Sequence, residues 1–441
     1  MGVSALRVLH VTHLYHPSVG GVQVHIQHLT EHLLQLDPTI HIEVFTSRSV
    51  HRDDFHRRTA RSAALQKREV INNVTVHRFA IWYNCSRFLF TFLPTVKGGY
   101  KILRVLFNGA ISCLRMGPFT PGMLIAIFRY RPDIVLLINS HNAHAFFCCL
   151  AQRTLGFRLV TIAGLGVAKE HAVVNSVIRH SDHFIALTEH EKRYLLQKGI
   201  AERRISVIGP GVNLDQFSLR MNSVSRIRYR PCSGPVIGFL GRQVPGKGVE
   251  HLIDSMRHIW TKYPTATLLI AGPTSPSLKE KLNDHINRIP NIYKSQIIRI
   301  DAYSEAQKND LFHALDVFAM PSAVDTFGIV YLEAWACKKP VIACTNTPPA
   351  TFIKDERDGL LVDYGNVRQL ADAIIFLLDN PKQRHKFGKE GYKKVRAHYT
   401  WHAVASKVAA IYKQLGGTPT NTDSDSGSHV GDTPNTKSHI T

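Results

Sequence analysis

The 441-residue sequence has few of the features that mark membrane-spanning, secreted or zinc-binding chains. No uninterrupted apolar run reaches the ~18 residues that a membrane-spanning helix needs. The first apolar run is short and is broken by His10 and His13, so residues 1–17 do not resemble a signal peptide. The seven cysteines include no Cys-x-x-Cys pair, which favours a reducing compartment and argues against a zinc site. We therefore expect a cytoplasmic protein that needs no metal or other cofactor.

Acidic residues are missing from one long stretch. Residues 70–132 contain no Asp or Glu, although aromatic and aliphatic residues are interleaved there with cations, and the whole chain has a formal charge of +21. The cations are Arg78, Arg87, Lys97, Lys101, Arg104, Arg115, Arg129 and Arg131. This pattern predicts a face that lies on an anionic membrane surface. A solvated basic face over an ordinary core is the alternative, and nucleic-acid binding is not expected because no recognised motif accompanies the charge.

The chain does contain a Gly-rich loop with two cations, at residues 241–248. It follows the apolar run 236–240 and precedes a segment with helical apolar spacing. Arg242 offers a planar fork for phosphate oxygens and Lys247 a compact charge, a pair that suits a diphosphate. The alternative is an ordinary strand–turn–helix connection with two solvated cations. The pattern is neither the P-loop nor Gly-x-Gly-x-x-Gly, so ATP and NAD receive no support.

Two carboxylates, Asp325 and Glu333, stand eight positions apart beside a second loop. Carboxylates accept hydrogen bonds from sugar and ribose hydroxyls. The strand-like residues 317–318 place this segment at the carboxyl end of a strand, where ligands bind in open α/β sheets. Alternatively, Asp325 is a turn or N-cap residue and Glu333 an exposed helix residue. Taken together, the two segments indicate a nucleotide-sugar site and therefore a glycosyltransferase.

Strand-like runs alternate with amphipathic helical runs along both halves of the chain, which predicts an α/β fold with doubly wound parallel sheets. The predicted strands of the first half span 7–12, 41–46, 75–79, 134–138, 159–162, 184–186 and 205–208. Those of the second half span 235–240, 267–271, 297–300, 317–319 and 341–343. Residues after 416 are Gly-, Thr-, Ser- and Asp-rich and predict a disordered tail.

In these motifs the chain resembles the retaining glycosyltransferases of the GT-B fold, specifically glycosyltransferase family 4 (glycosyl transferases group 1). The family's Gly-Arg-x-x-x-x-Lys-Gly loop matches residues 241–248. Its Glu-x7-Glu stretch matches residues 325–343, with Asp325 at the first position. Residues 210–213 and 358–362 are also similar, and the resemblance covers roughly residues 5 to 415.

The resemblance implies two Rossmann-like domains that face a central cleft. We expect an acceptor-side domain at 1–212, a linker at 213–234, a nucleotide-sugar-binding domain at 235–395, a helix crossing back to the first domain at 396–415, and the tail at 416–441. The implied function is transfer of a sugar from a nucleotide-sugar donor, with retention of anomeric configuration, by a hexosyltransferase-like enzyme. The expected acceptor is a lipid or lipid-linked glycan, reached from the cytoplasmic face of a membrane.

The resemblance also implies roles for individual residues. Arg242 and Lys247 would bind the donor diphosphate, Glu333 the ribose, and Asp325 the transferred sugar; these four form the expected catalytic set. The remaining donor-side positions are Gly20, Gly21, Phe327, Gly328, Ile329 and Val330. His13, His141 and His171 are candidates for the acceptor side, each with a structural role as the alternative.

Four positions depart from the family pattern. Asp325 is one methylene shorter than Glu, Lys338 replaces a Gly, residues 347–351 replace a Gly-Gly-x-Pro-Glu loop, and Ala163 stands where many members have His. Asp325, Ala163 and residues 347–351 motivate an alternative to the enzyme: a catalytically weak or inactive protein that binds a nucleotide-sugar as a sensor or scaffold.

Overall fold

The computed structural model describes residues 5–18, 20–55, 58–83, 117–138, 140, 142–164, 172–218, 229 and 233–416. The predictions for the middle of the basic stretch, for His141 and His171, for most of the linker and for the tail beyond Gly416 lie outside these residues. None of the described helices is both long enough and apolar enough to cross a membrane.

The first half of the chain forms a sheet in the order β3-β4-β2-β1-β5-β6-β7-β8. All neighbours are parallel except β3 and β4, which are antiparallel. The strands are β1 (Leu6–Val11), β2 (Ile40–Ser47), β3 (Arg68–Ile71), β4 (Val74–Phe79), β5 (Ile134–Ile138), β6 (Arg158–Ile162), β7 (His183–Ala186) and β8 (Ile205–Val207). The helices are α1 (Gly21–Leu36), α2 (Ala60–Ala64), α3 (Pro121–Tyr130), α4 (Ala143–Leu155), α5 (Ala172–His180) and α6 (Glu189–Gln197).

The second half forms a parallel sheet in the order β11-β10-β9-β12-β13-β14. Its strands are β9 (Val236–Leu240), β10 (Thr267–Ala271), β11 (Ile297–Ile300), β12 (Val317–Ala319), β13 (Val341–Cys344) and β14 (Gly359–Val362). Its helices are α7 (Val249–Lys262), α8 (Pro276–Asn287), α9 (Asn291–Lys294), α10 (Glu305–Ala314), α11 (Ile329–Ala336), α12 (Val367–Asp379) and α13 (Pro381–His398), and the described chain ends with α14 (Trp401–Gly416).

Both faces of the first sheet are covered, as a parallel sheet requires. Along β1 the side chains alternate: Val8 joins the apolar cluster beneath α1 and α14, whereas Leu9 and Val11 join the cluster beneath α3 and α4. The predicted α/β architecture is therefore confirmed. The edge strand β3, whose sequence is half polar, was not predicted.

The order of strands reverses at one place in each sheet. In the first sheet the reversal lies between β1 and β5, and in the second between β9 and β12. Ligands in open α/β sheets bind outside the carboxyl ends of the strands at such a reversal. The loop that leaves β9 contains residues 241–248, and the loop that leaves β12 contains Asp325, both of which the sequence singled out.

The last helix returns to the first sheet, as predicted. Trp401, at the start of α14, lies beside His28 of α1, with ring centroids 5.2 Å apart. Tyr399 lies just before α14, and its carbonyl oxygen accepts a hydrogen bond from the N–H of Val212 at 2.7 Å. A Cβ on Gly211 would lie 2.5 Å from the Trp401 ring, so the chain passes close to this helix. The two halves are thus joined by a packed seam.

A glycine on α13 lets this helix approach α11, which carries Glu333. A Cβ on Gly391 would lie 2.0 Å from Cδ1 of Trp335, a buried residue of α11. The indole N–H of Trp335 donates to the carbonyl oxygen of Asp358 at 2.9 Å, so the ring has little freedom to move. The close packing of α13 against α11 therefore requires glycine at position 391.

We expect Gly391→Ala to lower the free energy of unfolding by about 1–3 kcal/mol, because the added methyl overpacks this contact. The matched control is Gly122→Ala in α3, where the nearest atom to the new Cβ would be Phe79 Cδ1 at 3.7 Å. There the gain in helix propensity makes the change neutral or stabilising by up to about 1 kcal/mol. Urea denaturation of both variants checks the prediction, and equal effects would contradict it.

Candidate active site

The Gly-rich loop turns directly from β9 into α7. Gly248, the residue before α7, has φ +73, and a Cβ there would lie 2.1 Å from the carbonyl oxygen of Pro321. Only glycine avoids both the left-handed strain and this clash. The close approach brings the loop against the segment that leaves β12.

A hydrogen bond connects the two loops. The N–H of Ala323 donates to the carbonyl oxygen of Gly246 at 2.8 Å. On the other side, the N–H of Gln243 donates to the carbonyl oxygen of Pro273, also at 2.8 Å. Residues 241–248 are therefore held from both sides, and their backbone geometry does not depend on a ligand.

Lys247 and Asp325 form an ion pair across the two loops. Their side chains are only 15% and 8% exposed, so the pair is largely removed from water. One Asp325 oxygen, Oδ1, accepts from Lys247, whereas Oδ2 is buried without a hydrogen-bond partner among the described residues. Arg242 is exposed and makes no ion pair with any residue that the structure describes. The loops thus present one free cation, one paired cation and one unused carboxylate oxygen.

The N-terminus of α11 adds unpaired backbone donors. Gly328 precedes the helix, and no described group accepts from the N–H groups of Gly328, Ile329 or Val330. All three residues are partly exposed. The first N–H groups of a helix are suited to bind anions.

Glu333 lies on the same helix and is buried. Its Oε1 accepts from Nζ of Lys308 at 2.8 Å, and its Oε2 has no partner among the described residues. Burial raises the pKa of Glu333 above its ordinary value, and the Lys308 ammonium opposes that rise. The expectation of an exposed helix residue, the alternative for this position, does not hold.

Phe327 lies in the core with its side chain turned away from the loops. Its ring stacks on Phe352 with centroids 4.4 Å apart and meets the edge of Tyr399 at 5.9 Å. A Cβ on Gly209 would lie 2.6 Å from the Phe327 ring. Phe327 was predicted to contact the nucleotide-sugar, and its packed ring leaves only its backbone available for such a contact.

The first domain contributes the opposite wall. A Cβ on Gly21, the first residue of α1, would lie 3.5 Å from Cδ1 of Ile329. Gly21 therefore faces the N-terminal end of α11 at close range, whereas the nearest atoms to a Cβ on Gly20 belong to Gln23 of α1 itself. This contact places the two strand-order reversals on opposite sides of one cleft.

Of the acceptor-side candidates, His13 is the one that lies among the described residues, and it is less well placed than the donor-side residues. The ring of His13 is buried, stacks on His144 with centroids 5.9 Å apart and meets Phe55 at 5.6 Å. This packing suits support of the loop after β1 rather than contact with an acceptor. Ala163, which follows β6, is buried among apolar residues that include Val174. It supplies no group that transfers a proton.

The altered 347–351 loop lies beside Gly328, a residue predicted to bind the donor. It forms a single 3-10 turn, Pro348–Thr351, and Cγ of Pro349 would lie 3.6 Å from a Cβ on Gly328. The hydroxyl of Thr347 donates to the carbonyl oxygen of Cys344 at 2.7 Å. Despite its different sequence, the loop is well bonded and adjoins the site.

Metal-binding geometry is not found in the described part of the chain. No three or more His, Cys, Asp or Glu side chains cluster there in a way that would hold a metal ion. Independence from metals remains a prediction.

Two parallel α/β sheets, with a last helix that returns to the first of them, form the GT-B architecture of glycosyltransferases. Two family models match the chain: Glycosyltransferase Family 4 over residues 19–216, and Glycosyl transferases group 1 over residues 228–394. The chain belongs to this glycosyltransferase family, and the predicted family and GT-B fold are both confirmed.

Individual relatives agree with this assignment. The chain is 30% identical to D-inositol 3-phosphate glycosyltransferase of Mycolicibacterium smegmatis, over 67% of this chain and 71% of that protein. It is 27% identical to D-inositol 3-phosphate glycosyltransferase 2 of Catenulispora acidiphila, over 67% of this chain and 74% of that protein. The crystal structure of Anabaena HepE with UDP-glucose matches with a TM-score of 0.67 at 16% identity, covering 93% of this chain and 100% of that one.

One residue of the site, Lys308, was not predicted from the sequence. Lys308 and Glu305, both on α10, bond with each other at 2.9 Å, and Lys308 also bonds with Glu333. Ser304 caps α10 through a reciprocal bond with Gln307, which fixes where the helix starts. The Ser-x-x-Gln pattern signals that start, but nothing in the sequence connects Lys308 with a carboxylate 25 positions later.

We expect Lys247→Met to lower the free energy of unfolding without ligand by about 3 kcal/mol, since Asp325 would remain buried and unpaired. A double-mutant cycle with Asp325→Leu should give a coupling energy above about 1 kcal/mol. The exposed pair Arg368–Asp372, at 3.2 Å, is the control and should couple by less than about 0.5 kcal/mol. If the two substitutions change the free energy of unfolding additively at both pairs, the Lys247–Asp325 interaction is refuted.

Proposed function

We propose that this glycosyltransferase moves a sugar from a nucleotide-sugar donor to a lipid or lipid-linked glycan, with retention of anomeric configuration. The observation that carries the donor proposal is the convergence of Lys247, Arg242 and the free N–H groups of residues 328–330 at one strand-order reversal. These groups form a site for two phosphates.

Electrostatic stabilisation of the leaving diphosphate is the proposed source of catalysis. As the bond to the sugar breaks, negative charge grows on the diphosphate while the sugar becomes oxocarbenium-like. Cations and N–H groups that are already in place stabilise this charge without reorganisation. In this proposal Arg242 and the α11 N-terminus bind the phosphates, and Lys247 exchanges part of its contact with Asp325 for a phosphate oxygen.

The two carboxylates would orient the donor. Glu333 Oε2 and Asp325 Oδ2 are buried acceptors without partners among the described residues, and ligand hydroxyls would satisfy both. We assign the ribose to Glu333 and the transferred sugar to Asp325. The buried position of Ala163 offers no base, so the departing phosphate is proposed to accept the proton of the acceptor hydroxyl.

We expect a nucleotide sugar to raise the melting temperature of the protein, because a ligand that binds the native state stabilises it. UDP-, GDP-, ADP- and CMP-sugars are compared by thermal shift, and the best donor is then tested for hydrolysis and transfer. Arg242→Ala and Glu333→Gln should each lower kcat/KM by about 100-fold. Arg368→Ala, which removes an exposed cation paired with Asp372 on α12, is the control and should leave kcat/KM unchanged.

Circular dichroism and melting curves establish that the variants are folded. Unchanged turnover in both site variants would refute the assignment of the site. Donor binding without hydrolysis or transfer would instead favour a sensor or scaffold, the function that Ala163 and the shortened Asp325 suggest.

An acceptor panel should include inositol phosphate, on which the named relatives act.

The membrane proposal depends on the acid-free stretch, of which the structure describes both ends. Arg78 is buried and pairs with Glu69, so it is not available to lipid. On α3, by contrast, Arg129 is exposed and the side chain of Ile125 is 55% exposed. This helix supports the proposal with a cation and an apolar group on its surface.

We expect the protein to sediment with vesicles that contain anionic lipid and not with neutral vesicles. Arg129→Glu should weaken this binding several-fold, since a cation near the surface contributes about 1 kcal/mol. Arg368→Glu, with the same charge change on α12, is the control. Equal sedimentation with anionic and neutral vesicles at moderate salt would contradict a membrane-bound acceptor and favour a soluble one.

A further inference from the structure

Lys308 occupies a position between two carboxylates at the edge of the cleft. Its ammonium group lies 2.8 Å from Oε1 of Glu333 and 2.9 Å from Oε2 of Glu305. The side chains of Lys308 and Glu333 are 13% and 9% exposed, whereas that of Glu305 is 60% exposed. Lys308 thus bridges a buried carboxylate and a solvated one.

The contact with Lys308 gives a hydrogen bond to one carboxylate oxygen of Glu333 and none to the other. Oε1 accepts from Lys308, and Oε2 is buried with no partner among the described residues. A buried acceptor without a partner is costly, and a ligand hydroxyl at Oε2 would remove that cost. Because Lys308 holds Oε1, the carboxylate cannot rotate freely, and Oε2 has a fixed direction.

The charges of the groups around Glu333 also favour its pairing with Lys308. The groups that face Glu333 are Lys308 and Glu305 of α10, Tyr303 before that helix, and Cys337 at the end of α11. Burial would lower the pKa of Lys308, but Glu333 and Glu305 raise it above its ordinary value, so Lys308 stays charged. Burial raises the pKa values of Tyr303 and Cys337 to about 12 each, so both stay neutral. Lys308 is therefore the cation that opposes the effect of burial on the pKa of Glu333 and favours its ionised form.

We propose that Lys308 is a positioning residue for the donor: it holds Glu333 as an oriented carboxylate whose Oε2 accepts hydrogen bonds from the ribose hydroxyls of a nucleoside diphosphate. This proposal rests on the donor site proposed above. It adds a residue that does not touch the ligand but determines whether Glu333 recognises ribose.

The test compares each nucleotide with its counterpart that lacks the ribose hydroxyls. Calorimetry gives the Kd of UDP, GDP and ADP and of their 2′,3′-dideoxy forms for wild type, Lys308→Met and Lys308→Arg. Wild type should prefer the tightest ribonucleotide over its dideoxy form by at least about 10-fold, the usual effect of hydrogen bonds to a charged group. Lys308→Met should reduce this preference to near unity by weakening the ribonucleotide alone, and Lys308→Arg should restore part of it.

Glu305→Gln is the matched control. It removes the outer partner of Lys308 but leaves the bond to Glu333, so the preference for ribose should persist. Because the preference is a ratio of two Kd values for one folded protein, a general loss of stability does not mimic the effect.

The pH dependence of the preference for ribose distinguishes a positioning role of Lys308 from a packing role. The preference requires ionised Glu333, so in wild type it is present above the pKa of Glu333 and is lost as the pH falls through it. Removal of the Lys308 charge raises that pKa further, so any residual preference in Lys308→Met should be lost at a higher pH than in wild type.

The outcomes distinguish this inference from the donor site itself. If Lys308→Met retains the full preference, Lys308 has no positioning role although the donor site stands. If wild type binds a nucleotide and its dideoxy form equally, Glu333 does not hold ribose, and the inference is also refuted. If wild type binds none of the nucleotides, the proposed donor function fails and the inference fails with it.

Discussion

The arrangement of the site depends on one constraint, the bonding of two loops that leave the neighbouring strands β9 and β12. The hydrogen bond from Ala323 to Gly246 and the close backbone approach at Gly248 fix the loops against each other. The ion pair between Lys247 and Asp325 then brings opposite charges together out of water. Because these contacts form within the protein, cations, helix N–H groups and carboxylates are in place before a ligand arrives. Such preorganisation is the main way in which an enzyme stabilises charge that develops during a reaction.

The same loop also belongs to the seam between the two halves of the chain. Phe327 stands between Asp325 and the α11 N-terminus, yet its ring packs on Phe352 and Tyr399. Tyr399 in turn accepts from Val212, where the chain crosses between the sheets. One segment therefore contributes to the proposed donor site on one side and to the interdomain core on the other. The geometry of the proposed site is coupled to the way the domains pack.

Much of this could be predicted from sequence, because local patterns determine it. The alternation of strands and helices, the glycines of the 241–248 loop and the apolar run before Asp325 are all short-range signals. Long-range pairings could not be predicted. Lys308 of α10 pairs with Glu333 of α11, and Arg78 pairs with Glu69 of the edge strand β3, and no local pattern marks either pair. The aromatic character of Phe327 does not reveal which side of the loop its ring occupies.

The central claim is that the groups at the β9–β12 reversal bind the diphosphate of a nucleotide sugar. A crystal structure with the best-binding nucleotide sugar tests it most directly. The account predicts phosphate oxygens within hydrogen-bond distance of Arg242, Lys247 and the N–H groups of residues 328–330, with the ribose on Oε2 of Glu333. A nucleotide bound elsewhere, or bound in this cleft with its phosphates away from these groups, would contradict it.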